Sequence, residues 1–261
     1  VEFAIRVCHA LHMEIDELLC FDRKNYYYSD LPKGFQITQD KRPIGRNGYL
    51  MIEVDGEEKR IDIERLHMEE DTAKQLHLTD YSLIDYNRAG IPLIEIVTKP
   101  CIRSGKEASA YLEALRQVFL YTEVSDAKLE EGSMRCDVNV SIRPFGQEAF
   151  GTRTEIKNLN SISNVQKAID YEAGRQQEVI ESGGEVLQET RRYDEVEKVT
   201  TVMRSKGDAV DYKYYTEPNI LPIRLDHAWV EQIKDELPMM AGEREKHYEE
   251  EYGIPKVDAK I

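Results

Sequence analysis

The chain has 261 residues, enough for one large domain or for one domain and part of another. Hydrophobic residues make up 41% and charged residues 33%, the balance of a globular protein with an ordinary core, and no apolar run approaches the roughly 18 residues of a membrane span. A net charge of −15 excludes nucleic-acid binding by bulk electrostatics, so any RNA contact needs a local basic patch or another domain.

The chain opens without Met on VEFAIRVCHALHMEI, which reads as an amphipathic helix to about Ile15. That opening and the unterminated ending IPKVDAKI lead us to expect that both ends continue in a longer protein. Phe21 to Lys33 is polar and aromatic, and reads as a strand followed by a loop. Tyr49–Val54 and Lys59–Met68 form a predicted hairpin around Asp55-Gly56. A second hairpin is expected from Tyr81–Tyr86, turning near Ala89-Gly90 and returning through Ile91–Val97. The apolar spacing of Lys106–Tyr121 predicts a helix.

Ser133–Arg143 alternates cleanly, with Met134, Cys136, Val138, Val140 and Ile142 on one side and Arg135, Asp137, Asn139, Ser141 and Arg143 on the other. Thr152–Leu159 is its predicted partner, with Arg153, Glu155 and Lys157 sharing a face. A long helix should start at Asn160 or Ser161 and end at Gly183-Gly184. Shorter strands follow at Glu189–Tyr193 and Val199–Arg204, then an aromatic loop at Asp211–Pro218 and a strand at Leu221–Leu225. From residue 227 to 261 the character turns to charged helix, read as the beginning of a helical domain after a domain spanning 1–226. Hairpins dominate, which predicts an α+β fold with a largely antiparallel sheet, flanking helices and one wet, acid-lined face.

Cys8, Cys20, Cys101 and Cys136 form no CxxC pair and read as core thiols in a reducing cytoplasm rather than as a zinc site. There is no GxxxxGK[ST] loop, no GxGxxG fingerprint and no nucleophile elbow. ATP chemistry would then rest on carboxylates that hold Mg²⁺ and on basic side chains that hold phosphate oxygens. The acids available are His67-Met68-Glu69-Glu70-Asp71, the lone Glu95 in the apolar strand Leu93–Val97, and the stretch Glu130–Asn139. Each has a plain reading as well. Glu69–Asp71 reads equally as a solvated strand end, and Glu95 as the partner of Arg88 or another arginine. His67 reads as a hydrogen-bonded structural histidine, and the Arg135–Arg143 ladder as an ordinary wet face. The tyrosines at 26–28 and 212–215 read as half-buried packing rather than as a base-stacking platform.

The stretches FDRKNYYYSDLPKGFQITQ, IDIERLHMEEDTAK, YSLIDYNRAGIPLIEIVTKP, KLEEGSMRCDVNVSIRP, TRTEIKNLNSISNVQKAIDYE, QETRRYDE and DYKYYTEPNI occur in order along nearly the whole chain. Together they resemble the B component of the bacterial aspartyl/glutamyl-tRNA amidotransferases, which are heterotrimers. The resemblance implies a sheet like that of glutamine synthetase and the guanidino kinases. It also implies ATP and Mg²⁺ as cofactors. The implied partners are the amidase (A) component, the small C component, and misacylated tRNA(Gln) or tRNA(Asn). The implied reaction is phosphorylation of the Glu or Asp side-chain carboxylate, then amidation by channelled ammonia. On the matching motifs, Glu70 and Glu95 are the expected metal ligands, and Lys24 and Lys33 line the ammonia path. Asp137 is a path or active-site acid. Arg135, Asn139, Arg153 and Lys157 are expected to bind nucleotide or acyl phosphate. The family's GLExH strand, with two further ligands, would precede Val1. A non-catalytic tRNA-binding or assembly module, and a free-standing ligase for a small molecule, are the competing readings.

Overall fold

A computed structural model describes residues 1–205 and 212–259. In chain order the helices are α1 (Glu2–Ala10), α2 (Gly105–Tyr121), α3 (Ile162–Glu181), α4 (His227–Asp235), α5 (Ala241–Tyr252) and α6 (Lys256–Ala259). The early strands are β1 (Glu14–Ile15), β2 (Leu18–Leu19), β3 (Asp22–Asn25), β4 (Phe35–Thr38), β5 (Gly45–Val54), β6 (Glu57–Glu70), β7 (Lys74–His77), β8 (Ser82–Asp85) and β9 (Pro92–Thr98). The later ones are β10 (Val138–Val140), β11 (Thr154–Lys157), β12 (Glu189–Asp194), β13 (Val199–Ser205), β14 (Lys213–Thr216) and β15 (Ile223–Arg224). The fold is mixed α/β with mostly antiparallel pairing. In place of one large sheet, the described strands form five small ones: β1-β5-β6-β9, β10-β11-β12-β13, β14-β3-β4, β15-β2 and β7-β8.

Two compact units emerge. The first comprises 1–50, 60–101 and the described residues from 212 onward. Its core is Ile5, Val7, Cys8, Leu11, Ile44, Ile61, Ile63 and Leu66, all nearly or fully buried. The second comprises 51–59 and the described part of 102–209, with Leu112, Leu115, Val140, Ile156, Val165 and Ala168 inside.

The Asp55-Gly56 turn is as predicted: both residues have positive φ, 53° and 84°, the requirement of a type I′ hairpin turn. Helix α1 stops at Ala10, not near Ile15. His12 takes a left-handed φ of 53° and the chain re-enters as β1 against β5. That approach is close: a Cβ on Gly48 would lie 2.6 Å from the Leu11 carbonyl oxygen, so only glycine fits there.

The second predicted hairpin does not form. β8 pairs with β7, a strand the sequence pattern does not reveal, and β9 pairs with β6. The 87–90 turn is tied to the end of β6 instead, through Asp71 N–H to Ile91 O at 2.8 Å and Gly90 N–H to Asp71 O at 2.9 Å. The long strand expected at Ser133–Arg143 shrinks to β10, because its partner β11 is four residues long. The alternation survives as burial, with Met134 and Val140 inside and Arg135, Asp137 and Asn139 outside. The aromatic loop is also corrected: Lys213–Thr216 is a strand on β3, while Asp211 lies outside the described residues.

Helix α3 starts where expected, on the Ser161 hydroxyl accepting from Asn164 N–H at 3.1 Å. It connects β11 to β12, which are parallel, the pairing that needs a crossover helix. Its inner face carries Glu172 and Gln176, both fully buried. The Gln176 amide donates to Val140 O at 3.1 Å and accepts from Ile142 N–H at 3.2 Å, so a side chain supplies bonds that a neighbouring strand would otherwise make.

Candidate functional site

In the first unit the antiparallel register of β6 and β9 sets His67 directly opposite Glu95. Residues two apart on a strand share a face, so Glu69 joins them and Glu70 points the other way. One ligand atom each from His67, Glu69 and Glu95 lies within 4.8 Å of the others. His67 Nε2 is 3.7 Å from Glu69 Oε2 and 3.8 Å from Glu95 Oε2. The histidine is buried, and its Nδ1 has no hydrogen-bond partner among the described residues. Glu69 is 10% exposed and receives the Thr38 hydroxyl at 3.4 Å. Glu95 is 50% exposed, so its charge is not buried by the apolar strand around it. Arg88, its suggested partner, is held on Asp71 at 3.1 Å.

What aims this cluster is a residue without sequence signal, Gln39. Fully buried, its Oε1 accepts from Met68 N–H at 3.0 Å and Ile44 N–H at 3.3 Å, while its Nε2 donates to Cys20 O at 2.9 Å. Met68 lies between His67 and Glu69, so this amide fixes the backbone that carries both.

Glu70 is placed differently from Glu95. Both its oxygens lie 2.6 Å from Lys33 Nζ, and Oε1 also accepts from Ile37 N–H at 2.9 Å. The structure therefore joins Glu70 to Lys33 rather than to Glu95. Lys24, on β3, has its ammonium 4.5 Å from the Tyr212 ring centroid and 5.8 Å from that of Tyr26. Burial pushes the Tyr26 hydroxyl pKa well up, with Asp30 and Glu69 adding to the rise. Beside them Arg23 grips the buried Glu217 at 2.5 and 3.1 Å, and this fork is the main reason the Glu217 carboxyl sits below the usual range.

The second unit holds Asp137, Arg135, Asn139, Arg153 and Lys157. The register places Lys157, Arg192 and Thr201 in one row across β11 to β13, with Asp137 just ahead of β10, and Asn139, Glu155 and Thr190 in the next row. Lys157 Nζ meets Asp137 Oδ2 at 2.7 Å and Glu155 Oε1 at 3.2 Å. Burial alone would lower its pKa, but the two carboxylates outweigh burial and raise it, so the ammonium stays charged. Thr190 donates to Glu155 Oε2 at 2.8 Å. Arg135 and Arg153 are exposed and lie just before the paired strands.

Residues 1–231 match the family model described as the GatB/GatE catalytic domain. The whole chain is 56% identical to the B component of the aspartyl/glutamyl-tRNA(Asn/Gln) amidotransferase of Mesoplasma florum, covering 54% of that protein. It is 55% identical to the protein of the same name from Staphylococcus aureus strain MRSA252, covering 55% of it. The corresponding Carboxydothermus hydrogenoformans protein is 52% identical over 266 aligned positions, again with 55% of its length covered. The chain thus spans about half the length of these curated relatives. With a family model along most of its length and relatives more than half identical over all of it, the chain belongs to the GatB/GatE catalytic-domain family.

Proposed function

We propose that this chain is the catalytic part of an amidotransferase component that uses ATP and Mg²⁺ to activate the side-chain carboxylate of Glu on tRNA(Gln) or Asp on tRNA(Asn). The observation that carries the reading is the His67–Glu69–Glu95 cluster inside a segment matched by a catalytic-domain model. In the reaction, a carboxylate oxygen attacks the γ-phosphorus of ATP and ADP leaves. Ammonia then adds to the acyl carbon, the C–O bond to phosphate breaks, and the amide forms with loss of a proton. Phosphorylation is needed because a free carboxylate is a poor electrophile.

The donor set fits a hard divalent cation. Two carboxylate oxygens suit Mg²⁺, which keeps several waters, and the imidazole nitrogen also admits Mn²⁺. Glu95, Glu69 and His67 would hold the ion, and Glu70 joins them only if Lys33 releases it. When bound, the ion supplies neutralisation of charge on the phosphoryl oxygens. In the second unit, Lys157, with Arg135, Arg153 and Asn139, is assigned to phosphate oxygens, and Asp137 orients the Lys157 ammonium at 2.7 Å. Lys24 and Lys33 are assigned to the ammonia path. A glutamine synthetase-like sheet, the amidase (A) and small C components as partners, and a cytoplasmic site of action complete the reading. Among the described residues no helix is long and apolar enough to cross a membrane.

The test uses the full-length protein assembled with its partner proteins. ADP release should require Mg²⁺ together with Glu-tRNA(Gln) or Asp-tRNA(Asn), and should stop when correctly charged tRNA replaces the misacylated one. ADP release that is indifferent to the aminoacyl group would overturn the assignment.

A further inference from the structure

Arg191 and Arg192 are neighbours in sequence with opposite environments. Arg191 points toward α3 and is 8% exposed. Its Nε donates to the Thr200 hydroxyl at 2.8 Å, its Nη2 to Thr200 O at 2.7 Å, and its Nη1 meets Glu189. Arg192, one residue on, faces the opposite side of the sheet and is exposed. Among the described residues it makes no ion pair. Its Nε donates to the Thr201 hydroxyl on β13 at 3.2 Å.

The two neighbours of Arg192 in its row explain why this matters. Lys157, aligned with it on β11, is balanced by Asp137 and Glu155. An anion that Lys157 holds on this face meets an ammonium already shared with two carboxylates, and Arg192 beside it adds a cation that makes no ion pair among the described residues. Thr201, aligned on β13, takes up the Nε hydrogen and leaves the Nη1/Nη2 edge of the planar fork available. That edge matches two phosphate oxygens in bidentate fashion.

We propose that Arg192 is a phosphate-binding residue that takes a phosphoryl group of the nucleotide on this sheet face. The inference rests on the function proposed above and gives a role to the second arginine of the QETRRYDE stretch.

The experiment uses the full-length enzyme with its partner proteins, with Arg192→Gln and Arg192→Lys measured beside the wild type. The readouts are the Kd of AMP-PNP by calorimetry, the KM for ATP in ADP release, the KM for misacylated tRNA, and the Tm. Loss of a charge-assisted bidentate contact should raise the AMP-PNP Kd and the ATP KM about ten- to hundredfold in the glutamine variant. The lysine variant should fall between it and the wild type, with Tm unchanged. A glutamine variant that binds AMP-PNP like the wild type, or one in which only the KM for tRNA rises, would overturn the proposal. A wild-type enzyme that binds no AMP-PNP would overturn the underlying reading and this proposal with it.

Discussion

On the function proposed above, replacing Glu95 by alanine in the full-length protein assembled with its partners is expected to lower ADP release driven by misacylated tRNA by on the order of a hundredfold or more. The expectation follows from the position of the side chain. Glu95 lies directly across from His67 and contributes one of the three ligand atoms found within 4.8 Å. It is also half exposed, so its loss leaves no cavity in the core and no buried charge unpaired. Activity and stability should therefore separate: a large kinetic loss, with Tm close to the wild type. Glu95→Gln should behave similarly, because the neutral amide keeps the shape but loses the charge that holds a divalent ion. A drop in Tm that tracks the drop in activity would show that Glu95 serves the fold and not the chemistry.

The second large effect is on stability, in the other unit. Glu172 is fully buried on α3 and accepts from Arg175 at 2.6 and 3.0 Å, from Gln176 at 2.9 Å and from Thr200 at 2.9 Å, with Arg191 3.6 Å away. Burial works against its ionisation, yet the bonds from Arg175, Gln176 and Thr200 outweigh burial and hold the carboxyl below the usual range. Glu172→Ala removes the acceptor of all these donors and leaves Arg175 and Arg191 with only the more peripheral Glu189 between them. A cost of about 3–5 kcal/mol is expected, measured as a shift in the urea midpoint at pH 7. The pH dependence has a definite sign. A depressed folded pKa means the contribution is present above the unfolded glutamate value of roughly 4.3 and is lost as pH falls through the folded one. The gap between wild type and variant should therefore be widest near neutrality and narrow in acid. A cost below about 1 kcal/mol at pH 7 would mean the network is far less coupled than its distances indicate.

Local signals in the sequence carry much of the fold. Asp55-Gly56 specifies its own turn, and Ser161 and Gly183 mark the ends of α3. Such features depend on residues adjacent in the chain. Most of the misreadings concern partners far away in sequence. Ile91–Val97 is visibly a strand, but its apolar run does not say that β6 rather than β8 is its neighbour. Ser133–Arg143 alternates along its length, but the hydrogen-bonded ladder extends only as far as β11 allows. Lys74–His77 is too short and too polar to announce itself.

The candidate site shows the same division. That Glu95 and the acids near His67 belong together is readable from the motifs. Which of two adjacent glutamates faces Glu95 is not, because one step of register turns a side chain to the other face. The register joins Glu69 to Glu95 and gives Glu70 to Lys33. Gln39 carries no pattern of its own, and only its three bonds to β6 and its surroundings reveal that it aims the cluster. Lys157 is expected on a polar face with Asp137, and the 2.7 Å ion pair bears out that shared face.

The most direct measurement is a crystal of the full-length enzyme soaked in Mn²⁺, with anomalous data collected at the manganese edge. A peak is expected within coordination distance of His67 Nε2 and of one oxygen each from Glu69 and Glu95, and it should disappear in Glu95→Ala. Density at other carboxylates, with none between β6 and β9, would contradict it.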